Sequence, residues 1–482
     1  MEIDYKKVGL KSGLEIHQQL DTHKLFCNCP SLLRQDAPKF RVERKLHAVA
    51  GEGREVDVAA SFEAGREREF IYQGYDTNCL VELDECPPYP INEEALEIAM
   101  QISLLLNCEI LPVSQIMRKT VIDGSNTSGF QRTLLLGRNG WVETESGKVG
   151  IWYVYLEEDA ARTIGEESGK KVYRLDRLGI PMVEIVTAPD IKNPEQAKEI
   201  ALHIGEILRS CKVKRGIGTI RQDINVSVKG HPRAEIKGFQ EPGIFVKVVE
   251  KEVERQLEEL KNKSKKELKA EVRGALEDGS TKFLRPLPSS ARMYPETDLP
   301  LLKIEKKMID RARKALPKLK HEVREELVKE GLNADMAKLV LQKNKLSEFK
   351  ELVGVYNAPN LVAKMIILWR EEIASHNNKK IEEIEEILNT DLFEDILKAL
   401  KQGKIKEEDV KRIMKEVVDG KKLGEAVEKK EINKEQIEEE IIRMLKEKPN
   451  LTENAYMGIL MAKYKGKISG KEIIELIKKH MK

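Results

Sequence analysis

The chain has 482 residues, with 84 Lys and Arg against 82 Asp and Glu and a net charge of +2. At roughly 150 residues per domain, two to four domains are expected; charged residues reach 34% against a usual ~25%, which predicts long solvated helices and excludes a globally basic nucleic-acid binder, though not a local basic patch. No run approaches the ~18 apolar residues of a membrane span, the first residues lack a signal-peptide core, and six cysteines make no disulfide framework, so a cytoplasmic protein with no membrane partner is expected.

The first predicted strand is Gly13–Gln19, where period 2 places Glu15, His17 and Gln19 on one face and Leu14 and Ile16 on the other. Cys27 and Cys29, followed at a distance by Cys79 and Cys86, could supply four thiolates for zinc. The spacings are not the usual paired C-x2-C, so buried reduced cysteines are the competing reading. Asn92 can cap a helix with Leu96, Ala99, Ile102, Leu105 and Leu106 on its apolar side. Cys108 and Cys211 sit at helix ends and read as core. No G-x-x-x-x-G-K-[ST] occurs, which rules out a P-loop kinase. The run Asp123–Arg132 instead offers small residues, hydroxyls and two glycines that can wrap an anion, with Arg132 or Lys119 adding charge. No local arrangement suggests a Ser-His or Cys-His nucleophile.

Lys148–Glu158 alternates as a strand, with Val149, Ile151, Tyr153 and Tyr155 on one face and Trp152, Val154, Leu156 and Glu158 on the other. Pro181–Val186 is an apolar run interrupted by Glu184. Asn193-Pro194-Glu195 starts a helix with Ala197, Ile200, Ala201, Ile204 and Leu208 as its stripe. Thr219–Val228 carries Thr219, Arg221, Asp223, Asn225 and Ser227 on one face, and Glu235 and Lys237 share a face in Ala234–Lys237. Lys261–Lys269 reads as a solvated turn or helix face.

Beyond Leu299 the chain turns rich in Lys, Glu, Leu and Ile. The periodic segments there are helical, with breaks at Gly331–Asn333, His376–Asn378 and Gly403. A last unit begins near Lys401, patterned by Ile413, Val417, Leu423 and Val427, and leads through Tyr456–Ile459 into Lys463, Lys465, Lys467 and Lys471. The expected fold class is α+β: a sheet domain over 1–298, a helical domain over 299–400 and a small helical tail over 401–482.

A carboxylate inside an apolar strand is costly unless it is paired or bound to a cation. Any one of these ionisable faces could simply meet water. Several in one domain, with Glu184 flanked by apolar neighbours, favour a shared oxygen-rich site suited to Mg²⁺ and substrate phosphates.

In order, GLEIHQQL from Gly13, KLFCNCP from Lys24, CLVELDE from Cys79, SNTSGFQRT from Ser125, LEEDAAR from Leu156, RLGIPMVEIVTAPD from Arg177, TIRQDINVSV from Thr219, AEIKGFQ from Ala234 and RPLPSSARMYPETDLP from Arg285 resemble the GatB/GatE family of tRNA-dependent amidotransferase subunits. The details look more like the archaeal GatE branch than the bacterial GatB branch. The resemblance implies a cradle-like mixed sheet domain, a helical domain and a YqeY-like tail. It implies that ATP phosphorylates the γ-carboxylate of glutamate mischarged on tRNA(Gln), and that ammonia then displaces phosphate. Mg²⁺ is implied as cofactor, with the family's metal-binding and catalytic positions falling on Glu15, His17, Glu158 and Glu184. Ser125, Asn126, Thr127 and Ser128, with Arg221, Asp223, Glu235 and Lys237, would line the nucleotide and acyl-phosphate region.

The implied partners are Glu-tRNA(Gln) and an asparaginase-like glutaminase, GatD, which feeds ammonia through a channel in a heterotetramer of two GatD and two GatE chains. The tail lysines would meet tRNA phosphates; a solvated surface helix is the alternative. The rival readings are a GatB-like enzyme also acting on Asp-tRNA(Asn) and a non-catalytic tRNA-binding scaffold. The archaeal branch also carries an inserted domain ahead of the RPLP…RMYPETD segment. Here Glu250–Lys269 runs directly into Glu271–Leu276 with no room for it, which leaves open whatever tRNA selectivity that domain lends.

Overall fold

A computed structural model describes residues 3–50, 55–239, 244–264, 266–288, 292–428, 434–448, 452–464 and 470–480. It divides into two compact units, Met1–Lys320 and His321–Lys482.

Strand-forming runs and two well-capped helices build the first unit. Its main sheet has 11 strands. In spatial order the path runs Thr281–Pro286, Glu271–Ala275, Ala234–Phe239, Ile220–Ser227, Lys11–Gln19, Pro181–Thr187, Gly147–Glu158, Phe130–Thr144, Ile116–Thr120 and Met293–Pro295, with Glu109–Ile110 paired to Phe130–Thr144. Neighbours are antiparallel except Ala234–Phe239 and Glu271–Ala275, which are parallel and joined by helix Phe245–Asn262. A parallel pair needs such a crossover.

One face of this sheet is apolar. Leu14, Ile16, Val154, Leu156, Val183, Ile185, Ile224 and Val226 pack in one cluster with helices Glu93–Leu105, Pro194–Ser210 and Phe245–Asn262. The caps are as the sequence predicts: the Asn92 side chain accepts the Ala95 N–H, and Asn193, followed by Pro194, accepts that of Gln196. Helical covering of one face leaves the ionisable residues of the central strands on the other. Lys261 and Asn262 close the third of these helices, Lys266 and Glu267 lie in a turn after it, and Lys265 lies outside the described residues.

A second sheet of four strands, Phe40–Lys45, Glu69–Gly74, Lys170–Arg174 and Arg162–Glu167, packs around Phe70, Tyr72, Tyr173 and Leu175. The first unit extends past the change in composition at Leu299. Leu302–Lys303 pairs with Val113–Ser114, and helix Lys306–Lys314 packs its Ala312, Met308 and Ile309 into the main core.

The second unit is helical. One hydrophobic cluster runs from Leu327 to Ala426, across position 400 without a break. Helices Lys434–Glu447, Glu453–Tyr464 and Gly470–His480 share a smaller cluster of Ile441, Tyr456, Leu460, Ile473 and Ile477. Lys465 and Lys467 lie outside the described residues, as do the side chains of Lys463 and Lys471. Among the described residues no helix is long and apolar enough to cross a membrane.

Candidate functional site

The register of the central strands brings distant carboxylates together. On strand Lys11–Gln19, Glu15 lies opposite Asp223 on one side and Val186 on the other, and His17 lies opposite Arg221 and Glu184. Asn225 is opposite Glu235, Glu184 opposite Tyr155, and Thr133 opposite Glu157. Apart from Asn225, these residues line a cavity of about 730 Å³ on the face away from the helices.

Two clusters form its floor. In the first, the ligand atoms of His17, Glu157 and Glu184 lie within 4.8 Å of one another. Lys119 Nζ stands 2.8 Å from Glu157 Oε2 and 3.1 Å from Glu184 Oε2, and His17 Nε2 is 3.7 and 3.8 Å from the same two carboxylates. In the second, Glu15, Asp223 and Glu235 converge. Lys237 Nζ lies 2.6 Å from both Asp223 Oδ2 and Glu235 Oε1, and Asn225 Nδ2 donates to Glu15 Oε1 at 2.9 Å. Beside them buried Asp159 accepts from Gln19 Nε2 at 2.6 Å and from Arg221 Nη2 at 2.7 Å.

The carboxyls of the two clusters shift in different directions. Burial, then the Glu235 and Glu184 charges, push the Glu15 carboxyl up. Burial and Glu184 likewise raise Glu157 despite Lys119. Burial works against ionising Glu184 as well, but Lys119 and His17 outweigh it and hold Glu184 low. Lys119 and Lys237 stand against the carboxylates of the two clusters, and Arg221, Arg233, Arg285 and Arg292 line the same cavity. The oxygen-dominated donor set of the two clusters fits a hard divalent cation such as Mg²⁺. Thr133 is buried in the same wall, and its Oγ1 has no hydrogen-bond partner among the described residues.

Of the residues singled out from the sequence, Glu15, His17, Glu184, Arg221, Asp223, Glu235 and Lys237 line this cavity. Glu158 does not. It faces the other side of the sheet, where its Oε2 accepts the Arg132 backbone N–H at 3.1 Å and its pKa is raised by burial; Glu157 takes the cavity side. The cause is an irregularity in strand Gly147–Glu158. Val186 pairs with Tyr153 but Thr187 pairs with Ile151, so Trp152 is an extra residue and the alternation inverts beyond it. Val149 and Ile151 are core before the irregularity, and Val154 and Leu156 after it.

Ser125, Asn126, Thr127 and Ser128 are also absent from the cavity wall. Ser125 Oγ donates to Asp123 Oδ1 at 2.6 Å, Thr127 Oγ1 to the Glu82 carbonyl, and Ser128 Oγ to the Phe130 carbonyl at 3.0 Å, while Asn126 is buried. This loop spends its hydroxyls on its own chain. Its continuation supplies Gln131 and Thr133 to the wall, and Arg132 turns instead to Glu296, 2.8 Å away.

The acidic run Glu157-Glu158-Asp159 at the end of the Trp152 strand stands out in the sequence, but Glu157 and Asp159 were given no role there; sequence reasoning missed the aromatic group Trp152, Tyr153 and Tyr155 and the arginines Arg233, Arg285 and Arg292, and all of these line the cavity, Glu157 and Asp159 included and Glu158 excepted. The available signal was the spacing of Tyr155, Glu157 and Asp159 at period 2. Away from the cavity, the ligand atoms of Cys27, Cys29 and Cys79 converge with a carboxylate oxygen of Glu82. Cys86 is not among them, and Lys24 Nζ lies 2.5 Å from Glu82 Oε1. These four could hold a thiophilic ion, with Glu82 in the place that the four-thiolate reading gave to Cys86.

Comparison with known proteins agrees with this architecture. Residues 10–310 match the model of the GatB/GatE catalytic domain, and residues 347–481 match a GatB domain. The chain is 38% identical to the E-type subunit of glutamyl-tRNA(Gln) amidotransferase from Methanocaldococcus jannaschii, with all of both chains covered. It is 33% identical to the corresponding protein of Sulfurisphaera tokodaii, again over all of both chains. It is 34% identical to that of Methanococcus maripaludis, over 100% of this chain and 99% of the relative. The first alignment runs over 631 positions although this chain has 482 residues, which fits a chain without the inserted domain: helix Phe245–Asn262 passes into strand Glu271–Ala275 through residues 263–270 alone. The chain belongs to the GatB/GatE family of amidotransferase subunits.

Proposed function

We propose that this chain activates the γ-carboxylate of glutamate mischarged on tRNA(Gln) with ATP and amidates it, giving Gln-tRNA(Gln). The observation that carries this reading is the convergence of His17, Glu157 and Glu184 with Glu15, Asp223 and Glu235 around Lys119 and Lys237 in one cavity. The names of the relatives point to the same substrate.

A carboxylate is a poor electrophile because oxide is a poor leaving group. In the proposed first step an oxygen of the substrate carboxylate forms a bond to the γ-phosphorus of ATP as the bond to the β–γ bridging oxygen breaks, and ADP departs. Ammonia then bonds to the carbonyl carbon, phosphate leaves with its electron pair, and the nitrogen loses a proton. Such transfers rely on positioning and charge neutralisation. Glu15, His17, Glu157 and Glu184 would hold Mg²⁺, which supplies neutralisation of the phosphate oxygens and alignment of the transfer. Lys119 and Lys237, whose positive charge the adjoining carboxylates sustain against burial, would supply further positive charge, and Arg285 and Arg292 line the same cavity.

No glutaminase nucleophile is visible in the sequence, so the nitrogen would come from a partner glutaminase of the asparaginase-like GatD type, in an assembly of two GatD and two GatE chains. The helical tail would meet the tRNA backbone. ATP and charged tRNA as substrates place the reaction in the cytoplasm. The test supplies purified protein with ATP, Mg²⁺, ammonium and either Glu-tRNA(Gln) or Asp-tRNA(Asn), and measures aminoacyl product and ADP. Gln-tRNA(Gln) with matching ADP is expected; absence of Gln-tRNA(Gln) and of ADP from the Glu-tRNA(Gln) reaction would overturn the reading, and Asn-tRNA(Asn) from the other would extend the substrate range.

A further inference from the structure

The cavity wall is charged along most of its length, but one stretch of it is aromatic. The extra residue in strand Gly147–Glu158 turns two consecutive side chains to the same side. Trp152 is 47% exposed and Tyr153 40% exposed, and both line the cavity. Tyr155 follows two residues later, its ring centroid 5.8 Å from that of Tyr153. Regular alternation would have sent one of the consecutive pair into the helix-covered core, and bulges of this kind re-aim side chains beside sites. Large aromatic faces left open to water within a cavity imply an apolar, planar complement.

The platform stands at a defined distance from the charged floor. Tyr153 and Glu157 are four residues apart on one strand, about 13 Å at a rise of ~3.3 Å per residue. Lys119 and the His17–Glu157–Glu184 cluster lie at the far end. A ligand that suits both ends has a flat apolar head, a polar linker and an anionic or acyl tail. Nucleotides have this form.

We propose that Trp152 and Tyr153 form a stacking platform for a nucleobase whose sugar and phosphate or acyl portion extends along the strand toward Lys119. This deepens the proposed function and rests on it, since both ATP and the 3′-terminal nucleotide of a charged tRNA present a base. Stacking needs only the π-face, which every base has, so hydrogen bonds to the base edge are not required.

The test uses the full-length protein, Trp152→Leu and Trp152→Phe. Equilibrium dialysis measures binding of ADP and, separately, of the trinucleotide CCA, and amidation with ammonium is followed in parallel. Trp152→Leu is expected to weaken one of the two ligands about tenfold or more, within the range of a lost base–aromatic stack. Trp152→Phe stays within about threefold of wild type. KM for the affected substrate rises more than kcat falls, with the melting temperature unchanged. Weakened ADP assigns the platform to ATP; weakened CCA assigns it to the tRNA end. Wild-type affinity of Trp152→Leu for both ligands overturns the proposal, as does failure of the wild-type protein to bind either. A wild-type protein that binds these ligands but makes no aminoacyl product defeats the proposed reaction and leaves the platform judged by dialysis alone.

Discussion

Glu157 and Glu158 are adjacent on one strand, yet Glu157 meets Lys119 in the cavity at 2.8 Å while Glu158 meets the backbone N–H of Arg132 on the opposite face of the sheet at 3.1 Å. The two substitutions therefore separate. Glu157→Gln removes a carboxylate from the proposed cation site and should lower the rate of amidation by on the order of 10²–10³, as loss of a preorganised charged group does, with little change in melting. Glu158→Gln keeps an acceptor for the Arg132 N–H but loses charge near its guanidinium. It should leave the rate within about threefold and cost about 1–2 kcal/mol of stability. Amidation rates and thermal melts of the two variants check this; the reverse pattern would return the role to Glu158.

That contrast also marks how far the sequence carries. The caps at Asn92 and Asn193, the apolar stripes behind them and the acidic faces of the Glu15, Glu184 and Asp223 strands were legible because they rest on local chemistry and unbroken periodicity. The resemblance carried the metal role to Glu158, whereas the irregularity at Trp152 inverts the alternation set by Val149 and Ile151, a one-residue slip flips every later side chain, and Glu157 is the one that lines the cavity. The hydroxyl loop at Ser125–Ser128 had the composition of an anion cradle, but Ser125 and Ser128 bond two residues away, to Asp123 and the Phe130 carbonyl, and Thr127 bonds the distant Glu82 carbonyl; composition does not tell a hydroxyl that faces a ligand from one that closes its own loop. The boundary at Leu299 followed a change in composition, whereas a strand pairing at Leu302–Lys303 carries the first unit onward.

Lys119 stands between two buried carboxylates, and its removal should expose what the clusters require. Lys119→Met leaves Glu157 and Glu184 without their nearest cation, a loss of about 3–5 kcal/mol for buried ionic groups left unpaired. A divalent cation binding only the folded protein should restore part of that stability, and restore more in the variant than in wild type. Melting temperatures of both proteins without Mg²⁺ and with about 10 mM of it, enough to load a weak site by mass action, measure this. A variant as stable as wild type, or one indifferent to Mg²⁺, would count against a cation site here.

Asp159 gives the pH dependence. Burial favours its neutral form, but the Arg221 and Arg177 guanidiniums outweigh burial and hold the carboxyl below its ordinary value. A carboxyl lower in the folded than in the unfolded chain contributes stability that is present above the unfolded pKa of about 3.9 and lost as pH falls through the folded value. Asp159→Asn should therefore cost about 2–3 kcal/mol near neutral pH, the range of hydrogen bonds to charged groups, and the deficit should narrow below about pH 4. Denaturant midpoints of the two proteins, followed from neutral pH down to about pH 3, would show it. A deficit that widens on acidification would contradict the sign.

The thiols divide by environment. A hydrogen bond from Cys27 brings the Cys29 thiol down to about 7, although burial and Glu82 oppose it, while burial pushes Cys108 and Cys211 up to about 12. Alkylation requires the thiolate, so at about pH 8 iodoacetamide should modify Cys29 first and reach Cys108 and Cys211 only after unfolding. Mass spectrometry of peptides over a time course reads the order. Glu82, the carboxylate of that cluster, already has Lys24 at 2.5 Å and the Cys79 backbone N–H at 2.9 Å, so its charge is compensated by the chain itself and a chelator should leave the rate at Cys29 unchanged. Acceleration by the chelator would show instead that the thiolates of Cys27, Cys29 and Cys79 were holding a metal ion, because coordination withdraws the lone pair that attacks the reagent.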